Sequence, residues 1–90
     1  MVVGNTDIQV PVMVDFNDEE GKCDITIPDM NMTIHGTSYT AAVADAVLKM
    51  SAYYYYCADR NIKLTFTHTY ESVAAMCDDA TEFVTFLGIY

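Results

Sequence analysis

The sequence predicts an α+β fold in which an antiparallel sheet, in chain order β-β-β-α-β, carries one main helix on one face. Three observations predict it: three short strand-like segments come first, one long segment with helical periodicity follows, and a run of strand formers ends the chain. Hairpin-sized links join the first three segments, so neighbours in the chain should be neighbours in the sheet. Ninety residues suit one hydrophobic core, and we therefore expect a single domain over residues 1–90.

The first hairpin is predicted between Val10 and Ile27. Val10 to Phe16 (VPVMVDF) is apolar and β-branched, and the polar run Asn17 to Gly21 is turn material. Lys22 to Ile27 (KCDITI) alternates apolar with polar residues, as a strand with one buried face does. Because Pro11 has no N–H, we expect the first strand to begin there or to leave that position unpaired at an edge.

A third strand is predicted over Met30 to His35, after the break at Pro28. Met30, Met32 and Ile34 alternate with polar residues and should form its core face.

The main helix is predicted to begin near Tyr39, with the Ser38 hydroxyl as its N-cap, and to end near Asp59 to Asn61. Asp45 and Lys49 form a favourable i,i+4 pair outside its core stripe. That stripe has three- and four-residue spacing and consists of Val43, Ala46, Val47, Met50 and Tyr54.

The rest of the chain is predicted to return to the sheet. Ile62 to Thr67 (IKLTFT) alternates and should be extended, and Thr69 should cap a short helix that ends before Asp78. Glu82 to Ile89 (EFVTFLGI) is the expected last strand. The sequence leaves open whether Met1 to Gln9 pairs as an extra strand or stays loose.

Charge restricts the classes of partner. Thirteen acidic residues against four basic ones give a net charge of −9, which repels phosphate backbones and attracts cationic surfaces. Direct nucleic-acid binding is therefore disfavoured and a basic protein partner is favoured. The alternative is that the charge only maintains solubility.

The three cysteines and the lack of long apolar runs indicate the compartment. Cys23, Cys57 and Cys77 have no paired close spacing, so neither a disulfide framework nor a zinc site is indicated. No run approaches the ~18 apolar residues of a membrane span, and no export signal is recognisable. We expect a cytoplasmic protein.

The segment Ile27 to Val47 (IPDMNMTIHGTSYTAAVADAV) resembles the signature of the HicB family: Pro-Asp, a short strand, glycine, a polar pair, and a helix with an alanine. The residues that carry the resemblance are Pro28, Asp29, Gly36, the pair Thr37-Ser38, and Ala42. It extends over about Val10 to Tyr90, and it implies a HicB-like partial RNase H fold. It also implies an antitoxin function, the binding and blocking of a small basic RNA-cleaving HicA-type toxin.

Each residue of this motif also has a structural interpretation. Pro28 stops strand pairing and Asp29 can accept backbone N–H groups at the turn. Gly36 is expected to permit a positive φ before the helix, and Ala42 to let the helix lie close to the sheet.

Two features depart from the family pattern. The first helical turn has Thr40 and Ala41 where many members carry glutamates, so no capping box is expected there. Many HicB antitoxins continue into a C-terminal DNA-binding domain, whereas this sequence stops at Tyr90, and we expect neither that domain nor operator binding. The alternative function is therefore a stand-alone HicB-like module that forms homo-oligomers and has an unknown partner.

An interface is predicted around the four tyrosines from Tyr53 to Tyr56. Successive helical side chains turn by about 100°, so these four cannot all face inward. Tyr53 and Tyr56 are the expected exposed pair, either as a partner contact or packed against the segment 62–67. The predicted interface with a partner or subunit comprises Asp29, Asn31, Asp45, Lys49, Tyr53 and Tyr56.

No catalytic site, metal or cofactor is predicted. A two-metal nuclease needs converging carboxylates, and the candidates, which we expect to lie apart, are Asp15, Asp24, Asp29 and Asp45. His35 and His68 are distant in sequence and lie near no recognisable nucleophile.

Overall fold

The computed structural model describes residues 5–17 and 19–89, with side chains from residue 8 onward. In chain order the elements are β1 (Asn5–Asn17), β2 (Lys22–Ile27), a 3-10 turn (Pro28–Met30), β3 (Met32–Gly36), α1 (Tyr39–Asp59), α2 (Tyr70–Ala74) and β4 (Glu82–Ile89). The strands form one antiparallel sheet in the order β3-β2-β1-β4. The predicted α+β class and the β-β-β-α-β order are confirmed, and β2 and β4 have the predicted bounds.

Helix α1 packs on one face of this sheet. Its N-cap is Ser38, whose hydroxyl accepts a hydrogen bond from the Ala41 N–H at 3.1 Å, as predicted. The core between α1 and the sheet contains Val10, Val12, Val14, Cys23, Ile25, Ile27, Met30, Ile34, Ala42, Ala46, Met50, Leu87 and Ile89.

The predicted core stripe of α1 is only partly correct. Ala46 and Met50 are buried, but Val43, Val47 and Tyr54 are only partly buried and pack at the margin of the core. Ala42 and Cys57 lie outside that stripe and are fully buried. The helix is rotated toward its small residues because these allow its backbone to approach the sheet.

Gly36 and Ala42 form the closest approach of α1 to β3. A Cβ atom at Gly36 would lie 2.7 Å from the Ala42 Cβ and 2.9 Å from its Cα. The expectation of a positive φ at Gly36 is wrong, since among the described glycines only Gly21 has a positive φ. Gly36 is needed because a side chain would collide with the helix, and the predicted role of Ala42 is confirmed.

The third strand begins two residues later than predicted. Pro28 to Met30 form a 3-10 turn, closed by the Asn31 N–H donating to the Pro28 carbonyl at 3.2 Å, and Asn31 takes a left-handed φ of 50°. Met30 is therefore the last residue of the turn, where its side chain is buried, and it does not belong to β3.

Strand β1 is longer than predicted. It extends back to Asn5, so Asn5 to Gln9 adds to this strand, whereas Met1 to Gly4 lie outside the described residues. Pro11 is not the start of the strand, but its side toward β2 is unpaired, as the second alternative expected, although β1 is a central strand of the sheet. It lies in the part of β1 that pairs with β4 only, because pairing with β2 begins at Met13.

The short helix α2 packs on the opposite face of the sheet from α1, which the sequence did not predict. Its N-cap is Thr69, as predicted, in a capping box with Ser72. Tyr70 stacks on Phe86 of β4 at 6.2 Å, and Val73 is fully buried. Helix α2 thus covers the part of this face around Phe86, whereas Asp15 of β1 and Glu82 of β4 stay partly exposed and β2 and β3 keep polar residues there.

Candidate partner-binding surface

A row of titratable side chains crosses all four strands on the face opposite α1. Asp24 lies opposite His35 of β3 on one side and opposite Asp15 of β1 on the other. Asp15 in turn lies opposite Glu82 of β4. We call Asp24, Asp15 and Glu82 the carboxylate row.

Neighbouring groups hold each carboxylate of the row in position. The Nδ1 of His35 lies 2.8 Å from Asp24 Oδ1, and the Thr81 hydroxyl donates to Asp15 Oδ1 at 2.8 Å. Glu82 Oε1 accepts backbone N–H groups of Asp78 and Asp79 at 2.6 and 2.8 Å. These contacts orient the carboxylates but add no permanent positive charge.

The thiols near the row are affected by its negative potential. Burial raises the pKa of Cys23, and the carboxylates of Asp24 and Asp15 raise it further. Burial likewise raises the pKa of Cys77, with a smaller contribution from the nearby Glu82. Like charges directly opposite each other on neighbouring strands destabilise a sheet, so the row lowers the stability of the free protein.

The cations that form ion pairs within the described residues do so away from the row. Lys22 pairs with Glu20 at 3.4 Å, and Lys49 pairs with Asp45 at 3.2 Å. Arg60 lies 3.9 Å from Asp59. Of the basic groups that the structure describes, only the His35 imidazole forms an ion pair with the row, and it is charged only when protonated.

The structure brings two of the four nuclease candidates together. Asp15 and Asp24 are cross-strand neighbours, whereas Asp29 lies in the 3-10 turn and Asp45 on α1. Glu82 was missed because nothing near it in sequence shows that β4 pairs with β1. Within the described ranges, no three carboxylate, imidazole or thiol groups are arranged to hold a metal ion.

Four of the predicted interface residues lie on α1. Asp45, Lys49, Tyr53 and Tyr56 share one flank of this helix, and all but Asp45 are exposed. The Arg60 guanidinium lies 3.9 Å from the centre of the Tyr56 ring, a cation–π contact.

The tyrosine run divides as helical geometry requires. Tyr53 and Tyr56 are exposed, as predicted, and Tyr54 packs against the core. Tyr55 is also exposed, which the sequence interpretation missed, and its ring meets that of Tyr54 edge-on at 5.2 Å.

Asp29 and Asn31, the remaining predicted interface residues, lie apart from that flank. Asn31 is exposed at the end of β3 away from His35. The Asp29 side chain is only 1% exposed, so it cannot form a contact surface.

Asp29 is instead an internal anchor for the segment that follows α1. Its Oδ1 accepts the backbone N–H groups of Thr67 and His68 at 3.0 and 3.1 Å, and His68 Nδ1 lies 2.8 Å away. Its Oδ2 is buried and has no hydrogen-bond partner within the described residues. Burial by itself would raise the pKa of Asp29. The hydrogen bonds from His68 and Thr67 outweigh this effect, so the pKa lies below its ordinary value.

A small apolar groove lies beside this anchored segment. It has a volume of about 210 Å³ between the start of β1, the end of α1 and the segment after it. Its lining is Ile8, Tyr54, Cys57, Ala58, Ile62, Leu64 and Phe66.

No protein-family model, curated protein or solved structure matches the chain at a significant level. None of the helices within the described ranges has both the length and the apolar character needed to cross a membrane.

Proposed function

We propose that this chain is an antitoxin-like protein that binds and blocks a small basic RNA-cleaving toxin of the HicA type, using the carboxylate row as its electrostatic contact. The toxin class and the finer assignment to a HicB-like partial RNase H fold come from the motif between Pro28 and Ala42. The proposed role is non-catalytic and cytoplasmic, and it involves no cofactor and no direct contact with nucleic acid.

The observation that carries the proposal is the position of the row. Three carboxylates occupy directly opposed positions on adjacent strands, an arrangement that costs stability in the free protein. Lysine or arginine side chains of a partner would relieve that repulsion and would be attracted by the net charge of −9. The row therefore suits a cationic protein surface better than it suits a phosphate backbone.

Co-expression with the neighbouring open reading frame tests the proposal. We expect that frame to encode a small basic protein, and we expect the two proteins to co-purify as a complex at physiological salt. The basic protein alone should cleave labelled RNA, and the complex should not. A neighbouring frame that encodes no small basic protein, or a pair that does not associate, would overturn the assignment.

A second candidate function is a stand-alone HicB-like module that self-associates and has an unrelated partner. The apolar outer surface of α1 favours it, since Leu48 there is 69% exposed. A stable homo-oligomer in light scattering, together with no basic protein encoded nearby, would select this candidate over the antitoxin.

A nuclease ranks third among the candidates. Labelled RNA that stays intact after incubation with the chain and Mg²⁺ or Mn²⁺ would dispose of it.

A further inference from the structure

The outer face of α1 is apolar although it points away from the sheet. A helix that packs on one side of a sheet normally has charged and polar residues on its other side, and a helix that is apolar all round is normally buried all round. Here the exposed stripe farthest from the core consists of Ala41, Ala44, Leu48, Ala52 and Tyr55. We call it the outer stripe.

The spacing of the outer stripe is symmetric about Leu48. Ala44 and Ala52 lie four residues before and after Leu48, and Ala41 and Tyr55 lie seven residues before and after it. The stripe extends over about 21 Å, from the helical rise of ~1.5 Å per residue. A surface with this symmetry can pair with an identical copy running in the opposite direction.

We propose that the outer stripe is the interface of an antiparallel homodimer, with the twofold axis passing beside Leu48. In this arrangement Leu48 meets Leu48 of the second copy, and Ala44 meets Ala52. The large Tyr55 side chain meets the small Ala41, so large groups face small ones and the two helices can approach closely. Twofold interfaces are self-complementary in this way, each residue pair occurring twice.

Charge supports a second copy as the occupant. The outer stripe has no charged side chain between Ala41 and Tyr55. Asp45 and Lys49 lie about one helical turn apart on one side of the stripe. Reversal of the second helix brings Asp45 of each copy within reach of Lys49 of the other. The interface is thus locally neutral, although each chain has a net charge of −9.

The dimer and the toxin complex should respond to salt in opposite ways. Two copies that each have a charge of −9 repel one another over long range, and salt screens this repulsion, so the dimer should strengthen as salt rises. Binding of a basic partner to the carboxylate row should weaken under the same change. The dimer does not depend on the antitoxin proposal, and it specifies the surface and symmetry by which the self-associating module of the second candidate would assemble.

Sedimentation velocity of the full chain tests the proposal. We expect a dimer whose dissociation constant falls several-fold between 50 and 300 mM salt, and Leu48→Glu should shift the protein to monomer, weakening association at least 10-fold. Leu48 is 69% exposed, so this variant should keep its circular dichroism spectrum and its melting temperature as a monomer. Ile62→Glu, at the apolar groove, is the matched control and should remain dimeric.

Disulfide trapping tests the direction of the helices. In a Cys77→Ser background, Leu48→Cys should cross-link two chains on oxidation. The double variant Ala44→Cys/Ala52→Cys should also cross-link, whereas Ala44→Cys alone should not. A monomer at all concentrations and salts, a dimer that Leu48→Glu leaves intact, or cross-linking by Ala44→Cys alone would overturn the proposal.

Discussion

Asp29 and His68 join the 3-10 turn after β2 to the segment before α2. One carboxylate oxygen of Asp29 accepts the backbone N–H of His68 at 3.1 Å and lies 2.8 Å from its ring Nδ1. The two residues are 39 positions apart in sequence. This contact fixes the chain at the place where it passes from the α1 side of the sheet to the α2 side.

The Asp29 contact predicts a specific acid sensitivity. Because the folded pKa of Asp29 is lowered, its ionised form stabilises the fold above the unfolded pKa of about 3.9. That contribution is lost as the pH falls through the lower folded pKa. Asp29→Asn should cost about 2 kcal/mol of unfolding free energy at pH 7, by the magnitude of charged hydrogen bonds, and should flatten this part of the pH profile.

Urea unfolding between pH 2 and pH 7 measures this effect. Asp45→Asn is the matched control, since it removes a carboxylate that is 38% exposed and forms one surface ion pair, and it should change the unfolding free energy by less than about 1 kcal/mol. An Asp29→Asn protein with the same stability and acid response as the control would show that Asp29 is not an anchor.

Gly36→Ala should destabilise the fold by about 1–3 kcal/mol, the usual cost of overpacking. The added Cβ would lie 2.7 Å from the Ala42 Cβ and 2.9 Å from its Cα, so the helix backbone itself must move. Gly88→Ala is the control, because its nearest neighbour is the end of the flexible Gln9 side chain at 3.1 Å. Equal melting temperatures for the two variants would contradict this account of Gly36.

Removal of the central charge of the carboxylate row should stabilise the free protein. Asp15→Asn keeps an oxygen that can accept from the Thr81 hydroxyl but ends the repulsion from Asp24 and Glu82. We expect a gain of roughly 0.2–1 kcal/mol at low salt, which should shrink as salt screens the repulsion.

Thermal unfolding at 20 and 300 mM salt checks the Asp15→Asn gain. Glu71→Gln, which removes an exposed charge on α2, is the control and should give no such gain. A destabilised Asp15→Asn protein would contradict this prediction, because the contacts of the Asp15 carboxylate would then stabilise the fold by more than its repulsion destabilises it.

Local signals in the sequence were enough to predict most of the elements. The alternation in β2, the Ser38 cap of α1 and the Thr69 cap of α2 each depend on residues within a few positions, and each is confirmed. The role of Gly36 was misjudged because positive φ is the commoner reason for a glycine, whereas the actual reason is its contact with Ala42. Met30 was misplaced because a 3-10 turn can bury a residue that also continues a strand-like alternation.

The candidate surface could be predicted only in part. Asp15 and Asp24 were named as candidate carboxylates but were expected to lie apart, and this expectation is wrong for the pair, because the pairing of β1 with β2 places them opposite each other. The contribution of β4 depends on contacts such as that between Thr81 and Asp15, which are 66 positions apart. The outer stripe of α1 could not be predicted as a separate surface, because its three- and four-residue spacing is the same as that of a core stripe.

Isothermal titration of the chain with the small basic protein encoded beside it tests the central claim most directly. Asp15→Asn/Asp24→Asn should weaken binding at least 10-fold, about 1.4 kcal/mol, and should reduce its salt dependence between 50 and 200 mM. The control Asp59→Asn/Glu71→Gln also removes two negative charges, but at positions outside the carboxylate row, and it should bind as tightly as the natural chain does. Equal affinities for the two double variants, or binding that does not weaken with salt, would contradict a role for the carboxylate row.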